Sequence, residues 1–288
     1  MDKTVVYQGV EGAYSHLASS QLFPNSNLVA SDSFLESMQL VEQGRADIGV
    51  IPIENSSAGR VEEIYRLIPK MQLNIIDEYF HPIEHALIAV KGYKLEELKT
   101  VSSHPQALAQ CMNNIKELNL KAISEFDTAG SAMKLEKSKD KTHAVIASTL
   151  AAKIYNLEIV KEKFSDYVGN VTRFIVLSKE KRTPKFEENK SYITSLIFSV
   201  RNIPAALYKA LGGFATNGID LIKIESYSGI GSMYSTQFHA DLYGHTDEKR
   251  LQLALDELRF FVEELKIIGV YERHEYRDKM CELNQIIK

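Results

Sequence analysis

The sequence predicts an α/β protein built of two domains. Along residues 4–178, strand-like apolar segments alternate with helical patterns, whereas from residue 192 onward the order becomes β-α-β-β-α-β. Between these parts, residues 178–190 are charged, contain a proline and lack periodicity, as expected of a linker. With 288 residues, the chain is long enough to form two hydrophobic cores.

In the first part, strands and helices follow one another at spacings typical of a mainly parallel sheet. Strands are expected at residues 4–8, 47–53, 100–102, 121–125, 142–147 and 175–177, with extended chain at 73–89. Helices are expected at residues 12–22, 61–68, 103–118, 127–137 and 148–155. One more helix begins after Ser33, because Glu36 stands three residues further on and completes a capping box.

The second part has a different rhythm. Strands are expected at residues 192–200, 219–226, 234–243 and 267–271, and helices at 204–217 and 247–265. Pro204 suits the first turn of a helix and Gly218 suits its end. This order of elements is that of the ferredoxin-like split fold.

Composition and charge narrow the range of functions. The chain is 44% hydrophobic and 25% charged, as in soluble globular proteins. Its net charge of −4 and its scattered Lys and Arg residues argue against nucleic-acid binding. The sequence has no apolar run of about 18 residues that would predict a membrane span. No signal-peptide pattern precedes the first strand, so we expect a cytoplasmic protein.

Cysteines and ligand motifs point to a protein without bound metal. The two cysteines, Cys111 and Cys281, give no disulfide framework and favour a reducing compartment. Cys111 stands in a helical pattern, where a small core residue is expected. The sequence shows neither the spacing of metal ligands nor a phosphate-binding loop, so we expect neither metal nor cofactor.

Polar residues concentrate in four clusters. The run at 169–174 places Asn170, Thr172 and Arg173 directly before the apolar residues 175–177. Such a group suits a small, oxygen-rich ligand, although alone it also fits a polar turn that enters a strand. The other clusters stand at residues 12–16, 52–59 and 102–110.

Taken in the order in which they stand along the chain, the four clusters resemble the motif set of prephenate dehydratases, over residues 5–177. Residues 192–271 resemble the ACT domain, a small module that senses amino acids. The sequence departs from the commoner motifs at Val10, where proline is frequent, and at Ala13, where threonine or serine is frequent. The resemblance implies a two-lobed catalytic domain similar to periplasmic binding proteins at residues 1–180, a linker at 181–190, an ACT domain at 191–273 and a C-terminal tail at 274–288.

The resemblance also implies a reaction, the loss of carbon dioxide and a hydroxyl group from prephenate to give phenylpyruvate for phenylalanine biosynthesis. Because the ring becomes aromatic, such an enzyme needs mainly to hold two carboxylates, place the ring and assist the departing hydroxyl. Arogenate dehydratase is an alternative, since the motifs barely separate the two substrates. A non-catalytic solute-binding protein of the same lobed fold would instead carry a signal peptide and no ACT domain. A transcription factor would need a helix-turn-helix segment and a basic face.

The run around Thr172 carries the catalytic expectation. The Thr172 hydroxyl aligns with the threonine essential in the family and could donate a hydrogen bond to the leaving oxygen, although a β-branched residue also suits a strand start. Arg173 could bind a substrate carboxylate or pair with a nearby acid. Asn170 is expected to bind substrate, and Phe174 to form core or cleft wall.

A second group of site residues follows the apolar strand at 47–53. Asn55 can offer both a donor and an acceptor to the substrate. Glu54 could be a proton donor if burial raises its pKa, or a structural salt-bridge partner. Ser56 and Ser57 form a turn whose free backbone N–H groups could cradle a carboxylate.

The remaining site residues stand at expected helix starts. Ser103 and Gln106 have the spacing of a capping box, at a helix N-terminus that would also attract an anion. Gln110 lies one turn further on the same face and is expected to be catalytic. His104 could act as an acid–base residue or hold the shape of the turn. Ser15 could bind a carboxylate or simply begin its helix.

The ACT resemblance implies homodimers or homotetramers that bind phenylalanine between ACT domains and are inhibited by it. The ligand-binding segments of the family read Gly-Ala-Leu and Glu-Ser-Arg-Pro, and they stand here as residues 205–207, Ala-Ala-Leu, and 225–228, Glu-Ser-Tyr-Ser. Ala205 adds a methyl group where glycine lets the backbone approach closely. The expected phenylalanine-site residues are Asn202, Ala205, Ala206, Leu207, Glu225 and Ser226.

Overall fold

The computed structural model describes residues 3–228 and 236–278. The chain forms two compact units. The first consists of Met1–Leu40, Gly49–Val61 and Phe80–Phe174, and the second of Val41–Ile48, Glu62–Tyr79 and Ile175–Lys288. The predicted division at 181–190 stays a prediction.

The elements follow the alternation expected from the sequence. The strands are β1 (Thr4–Gln8), β2 (Asn27–Ser31), β3 (Ile48–Asn55), β4 (Gly59–Arg60), β5 (Asn74–Pro82), β6 (Ala86–Ala89), β7 (Thr100–Ser103), β8 (Lys121–Ser124), β9 (His143–Ala147), β10 (Glu158–Lys161), β11 (Val171–Ser178), β12 (Tyr192–Val200), β13 (Leu221–Ser228), β14 (Thr236–Tyr243) and β15 (Val262–Glu272). The α-helices are α1 (Tyr14–Leu22), α2 (Phe34–Glu42), α3 (Glu62–Leu67), α4 (Pro105–Gln110), α5 (Met112–Glu117), α6 (Thr128–Ser138), α7 (Thr149–Ile154), α8 (Ala206–Thr216) and α9 (Lys249–Phe261). Short 3₁₀ turns lie at Ile68–Lys70 and Leu95–Glu97.

The first unit contains a five-stranded sheet in the order β10-β6-β9-β7-β8. Strand β7 runs parallel to β8 and β9, whereas β6 is antiparallel to β9 and β10. Successive β9 residues alternate between two apolar clusters, so that Ala144 and Ile146 join one while Val145 and Ala147 join the other. In the same unit, strands follow the order β11-β3-β1-β2, with β1 parallel to β2. The predicted α/β class is confirmed.

The second unit contains strands in the order β13-β14-β12-β15-β5. Strand β12 is antiparallel to both β14 and β15, and α8 and α9 supply residues to a shared apolar core. The order β12-α8-β13-β14-α9-β15 confirms the ferredoxin-like split arrangement. Gly269 lets β15 lie against β5, because a Cβ there would clash with the Ile75 carbonyl oxygen.

The structure corrects the helix expected at 103–118, which is two helices. Helix α4 ends at Gln110 and α5 begins at Met112. The carboxylate of Asp166 accepts hydrogen bonds from the backbone N–H groups of Asn113 and Asn114, at 2.9 and 3.1 Å. The Asp166 N–H in turn donates to the Gln110 carbonyl oxygen at 2.7 Å. A distant segment therefore caps both helix ends, which no local pattern could indicate.

The helix expected at 247–265 is also shorter. Helix α9 ends at Phe261, and β15 begins at Val262 opposite Val200. Pairing along the whole of β12 satisfies the backbone groups that a longer helix would otherwise use, so tertiary context overrides helix propensity. Strand β10 was not predicted. None of the described helices combines the length and apolar character needed to cross a membrane.

Candidate active site

The first unit contains a cavity of about 490 Å³, within the range of small-molecule sites. It lies among the turn after β3, helix α4 and the segment that leads into β11. Its lining side chains are uncharged, and those that are polar can both donate and accept hydrogen bonds. The lining residues are Ser56, Ser57, Ala58, Gln106, Ala109, Gln110, Ser165, Tyr167, Val168, Gly169 and Asn170.

Asn55 occupies the centre of a hydrogen-bond network beside this cavity. Its Oδ1 accepts the backbone N–H groups of Ser57 and Ala58, both at 2.9 Å. Its Nδ2 donates to Asn170 Oδ1 at 2.7 Å and to Thr172 Oγ1 at 2.9 Å. A longer contact of 3.3 Å joins Nδ2 to the Val171 carbonyl oxygen. Strand β3 and the run before β11 are thus brought together through one amide.

Thr172 lies inside a strand rather than before one. Strand β11 already begins at Val171, so the interpretation of 169–174 as a polar run ahead of a strand is wrong for its second half. Thr172 is only 9% exposed. Since its Oγ1 accepts from Asn55, its own hydroxyl proton is available for a different acceptor.

Gln110 extends the network. Its Oε1 accepts from Asn170 Nδ2 at 3.0 Å and lies 2.8 Å from His85 Nε2. His85 Nδ1 lies 2.8 Å from the Tyr14 hydroxyl oxygen. Sequence reasoning missed both His85 and Tyr14 as parts of the site. His85 stands just before a short apolar strand and in none of the four polar clusters, and Tyr14 was considered only as part of a helix start.

Glu54 and Arg173 form an ion pair, with Arg173 Nη1 2.9 Å from Glu54 Oε1. Arg173 is only 2% exposed, and a guanidinium buried to this extent requires a charged or hydrogen-bonding partner. Of the two roles considered for Arg173, the geometry favours pairing with a nearby acid. Phe174 is buried beside it as a core residue.

The turn after β3 has no free backbone cradle of the kind expected. The N–H of Ser56 donates to the Val171 carbonyl oxygen, and those of Ser57 and Ala58 donate to Asn55. The Ser56 hydroxyl accepts the Val171 N–H at 2.9 Å. The turn therefore uses its donors to hold β11 and Asn55. Ser56 and Ser57 still line the cavity.

The start of α4 also differs from expectation. The N-cap is His104, whose Nδ1 accepts the Gln106 N–H at 3.2 Å. The expected capping role of Ser103 is wrong, because Ser103 closes β7 and is fully buried, where its hydroxyl donates to the Ile146 carbonyl oxygen. Burial lowers the pKa of His104, which favours the neutral ring that a cap requires.

Ser15 lies away from the cavity, and Cys111 lies in the core as expected. Ser15 is buried on α1 and is not among the cavity's lining residues. Cys111 is fully buried, and burial raises the pKa of its thiol to about 12, as suits a core residue.

The residues expected to bind phenylalanine lie at the start of α8 and along β13. Ala205 is the N-cap of α8 and has a φ of +57°, in the left-handed region that favours glycine. Asn202 is exposed beside it, Ala206 is half-buried, and Leu207 packs partly against the core. On β13, Glu225 is half-buried and Ser226 is exposed. Tyr227 is buried, and its hydroxyl has no hydrogen-bond partner among the described residues.

Comparison with known proteins identifies relatives along nearly the whole chain. The family model of prephenate dehydratase matches residues 5–182. A bifunctional N-acyl-homoserine lactone acylase/prephenate dehydratase from Komagataeibacter europaeus is 39% identical over 278 residues, covering 96% of this chain and 99% of the relative. Arogenate dehydratase/prephenate dehydratase 1 from Arabidopsis thaliana is 37% identical over 281 residues, covering 93% of this chain and 71% of the relative.

Solved structures agree with these relatives. The prephenate dehydratase from Arthrobacter aurescens in complex with L-Phe superposes with a TM-score of 0.87 at 26% identity, covering 99% of each chain. The prephenate dehydratase from Staphylococcus aureus superposes with a TM-score of 0.78 at 24% identity, covering 94% of this chain and 100% of that one, which shows the shared fold.

The Glu54–Arg173 pair leads to a prediction that separates bracing from proton donation. We expect Glu54→Gln to keep most of the turnover, because an amide oxygen can still accept from Arg173. Glu54→Ala should lower the free energy of unfolding by about 1–3 kcal/mol, since Arg173 loses that partner. Chemical denaturation and steady-state turnover measure the two effects. If Glu54→Gln folds normally but loses turnover, Glu54 is instead the proton donor.

Proposed function

The chain belongs to the prephenate dehydratase family of hydro-lyases, and on that basis we propose that it converts prephenate into phenylpyruvate, carbon dioxide and water. The single observation that links this function to particular residues is the hydrogen bond from Asn55 Nδ2 to Thr172 Oγ1. Because Thr172 Oγ1 is the acceptor in this bond, the hydroxyl proton can form a hydrogen bond to the leaving oxygen of the substrate. Asn170 and Gln110 connect this hydroxyl to the walls of the cavity.

The reaction requires two bonds to break. The bond from the ring to one carboxylate breaks to release carbon dioxide, and its electrons complete the aromatic ring. The hydroxyl at the opposite ring carbon departs with its bonding electrons and takes up one proton from solvent to form water. The Thr172 hydroxyl donates a hydrogen bond to that departing oxygen. A threonine is too weak an acid to surrender its proton near neutral pH, so its contribution is a preorganised donor in a buried site.

Substrate binding rests on uncharged groups. Gln106, Gln110 and Asn170 are the amides that line the cavity. Side-chain amides can donate to carboxylates and to a hydroxyl, and can accept from an amine. Arg173 contributes indirectly, because its bond to Glu54 joins β11 to β3 and so holds Thr172 near Asn55.

Arogenate is the second candidate substrate. Relatives with 35–37% identity include proteins named arogenate dehydratase from Arabidopsis thaliana and Petunia hybrida. Arogenate carries an amine where prephenate has a keto oxygen, and amide side chains can serve either group. The test is to incubate the purified full chain with each substrate and identify phenylpyruvate or phenylalanine as the product.

N-acyl-homoserine lactone acylase activity, which appears in the name of the Komagataeibacter relative, provides a third arm of that experiment. Nucleophilic catalysis at a serine normally requires an adjacent general base. Among the described residues, the cavity serines Ser56, Ser57 and Ser165 make no hydrogen bond to a histidine. We therefore expect that this cavity does not hydrolyse the amide bond of an N-acyl-homoserine lactone to release its acyl chain as a carboxylic acid.

Regulation by phenylalanine is part of the same proposal. The ferredoxin-like arrangement of residues 192–272 supports an ACT domain at 191–273, which would assemble the chain as a homodimer or homotetramer. The similar protein from Arthrobacter aurescens is described in complex with L-Phe. Residues 1–180 would be the catalytic domain, 181–190 the linker and 274–288 the tail. A cytoplasmic location stays a prediction from the sequence.

The first prediction here concerns Thr172. Thr172→Ala should lower turnover by the equivalent of about 3–4 kcal/mol of activation free energy, because one preorganised donor is lost. Thr172→Ser should retain far more, because the hydroxyl stays. Turnover with prephenate is the measurement, and the melting temperature is the control for folding. Near-wild-type turnover of Thr172→Ala would remove this residue from the mechanism.

A second prediction concerns phenylalanine sensing at Ala205. The wild-type chain should be inhibited by phenylalanine, and Ala205→Gly should be inhibited at lower concentrations, because glycine relieves the left-handed backbone and allows closer approach. Turnover is titrated with phenylalanine, beside calorimetric binding to the full chain. Absence of both binding and inhibition in the millimolar range would leave the C-terminal domain as a dimerisation module.

A further inference from the structure

The orientation of the network beside the cavity can be derived from the backbone alone. The oxygen and nitrogen of a side-chain amide are distinguished by their hydrogen-bond partners. The orientation of the Asn55 amide is fixed, because two backbone N–H groups donate to one of its two terminal atoms. That atom must therefore be the oxygen. Its amino group then faces Asn170 and Thr172.

This orientation propagates from one amide to the next. The Asn170 atom beside the Asn55 amino group must be an acceptor, so it is Oδ1, and Asn170 Nδ2 faces Gln110. The Gln110 atom that meets Asn170 Nδ2 must in turn be Oε1. The same oxygen lies 2.8 Å from His85 Nε2, so that ring nitrogen must carry a proton and donate.

The Tyr14 hydroxyl is compatible with this tautomer of His85, which the chain of amides from Asn55 fixes. In a neutral imidazole that donates from Nε2, Nδ1 is an acceptor. The Tyr14 hydroxyl lies 2.8 Å from Nδ1 and can supply the proton for that bond. The Glu84 carbonyl oxygen, 2.9 Å away, is its alternative acceptor. His85 is 3% exposed, so water does not compete strongly for its nitrogens.

We propose that His85 and Tyr14 are positioning residues, which hold Gln110 with its amino group free for the substrate and, through Asn170 and Asn55, hold Thr172 with its hydroxyl proton free for the leaving oxygen. Both Gln110 oxygen lone pairs are committed, to Asn170 and to His85. The amino group is the part of Gln110 left for the cavity that the residue lines. Neither His85 nor Tyr14 is among the cavity's lining residues. The expected effect on turnover rests on the proposed function, whereas the orientation of the side chains rests on hydrogen-bond geometry.

The first test reads the tautomer without using activity. In the full chain with ¹⁵N-labelled histidine, the His85 signals, assigned by comparison with His85→Gln, should show a neutral ring protonated at Nε2. In Tyr14→Phe, part of the population should shift to the other tautomer, because the group that donates to Nδ1 is lost. A wild-type ring protonated only at Nδ1 would overturn the proposal.

The second test reads the consequence for turnover. We expect His85→Ala to lower turnover per unit substrate by roughly 10- to 100-fold, as small displacements of positioned groups do. His85→Gln should recover most of it, because its amide can donate to Gln110 Oε1 from nearly the place of Nε2. In a Gln110→Ala background, His85→Ala should add little, since it acts through Gln110. Additive losses, or failure of glutamine to rescue, would overturn the proposal.

A matched control is His143, another histidine of the same unit. Its ring lies 2.6 Å from Thr100 Oγ1 and 2.8 Å from Ser102 Oγ, and it belongs to neither the network nor the cavity. We expect His143→Ala to change stability while turnover stays near wild type. If it lowers turnover as His85→Ala does, the effect of His85 is general destabilisation. If the wild-type chain turns over neither prephenate nor arogenate, the proposed function fails, while the tautomer experiment still decides the orientation of the network.

Discussion

The geometry of the site depends on the acceptance of two backbone N–H groups by Asn55 Oδ1. Backbone donors have a fixed polarity, whereas the bonds that join Asn55, Asn170, Gln110 and His85 connect side chains that could in principle be turned around. The tight turn after β3 therefore sets the direction in which all later donors point. It also explains why the turn offers no free cradle for a carboxylate, since its N–H groups are already used.

A second consequence follows from the alternation of side chains along strands. Glu54 and Asn55 are neighbours on β3, and Thr172 and Arg173 are neighbours on β11. Because successive residues of a strand point to opposite faces, the Asn55–Thr172 hydrogen bond and the Glu54–Arg173 ion pair belong to opposite faces of this strand pair. The face with Asn55 and Thr172 holds the candidate catalytic groups, and the Glu54–Arg173 ion pair on the other face fixes the register of the two strands. A shift of the register by one residue would exchange the two faces.

Much of the architecture could be predicted from periodicity, including both ends of β1 and the order of the C-terminal elements. Asn55 and Thr172 could be selected from the sequence because their polar runs resemble a family motif set, and their part in catalysis stays a prediction. His85 could not, because its partner Gln110 is distant in sequence and nothing local marks the contact. The split between α4 and α5 escaped prediction for the same reason, since Asp166 caps both from another segment.

The network is also protected from changes of pH by the directions in which burial shifts its titratable groups. Burial lowers the pKa of His85, more than the Gln110 hydrogen bond raises it, so the ring stays neutral to a lower pH than an ordinary histidine does. Burial raises the pKa of the Tyr14 hydroxyl well above its usual value, so that hydroxyl keeps its proton as the pH rises. Asparagine, glutamine and threonine do not titrate between these limits. Both shifts therefore favour the neutral His85 ring and the protonated Tyr14 hydroxyl, which are the states that the donor directions of the site require.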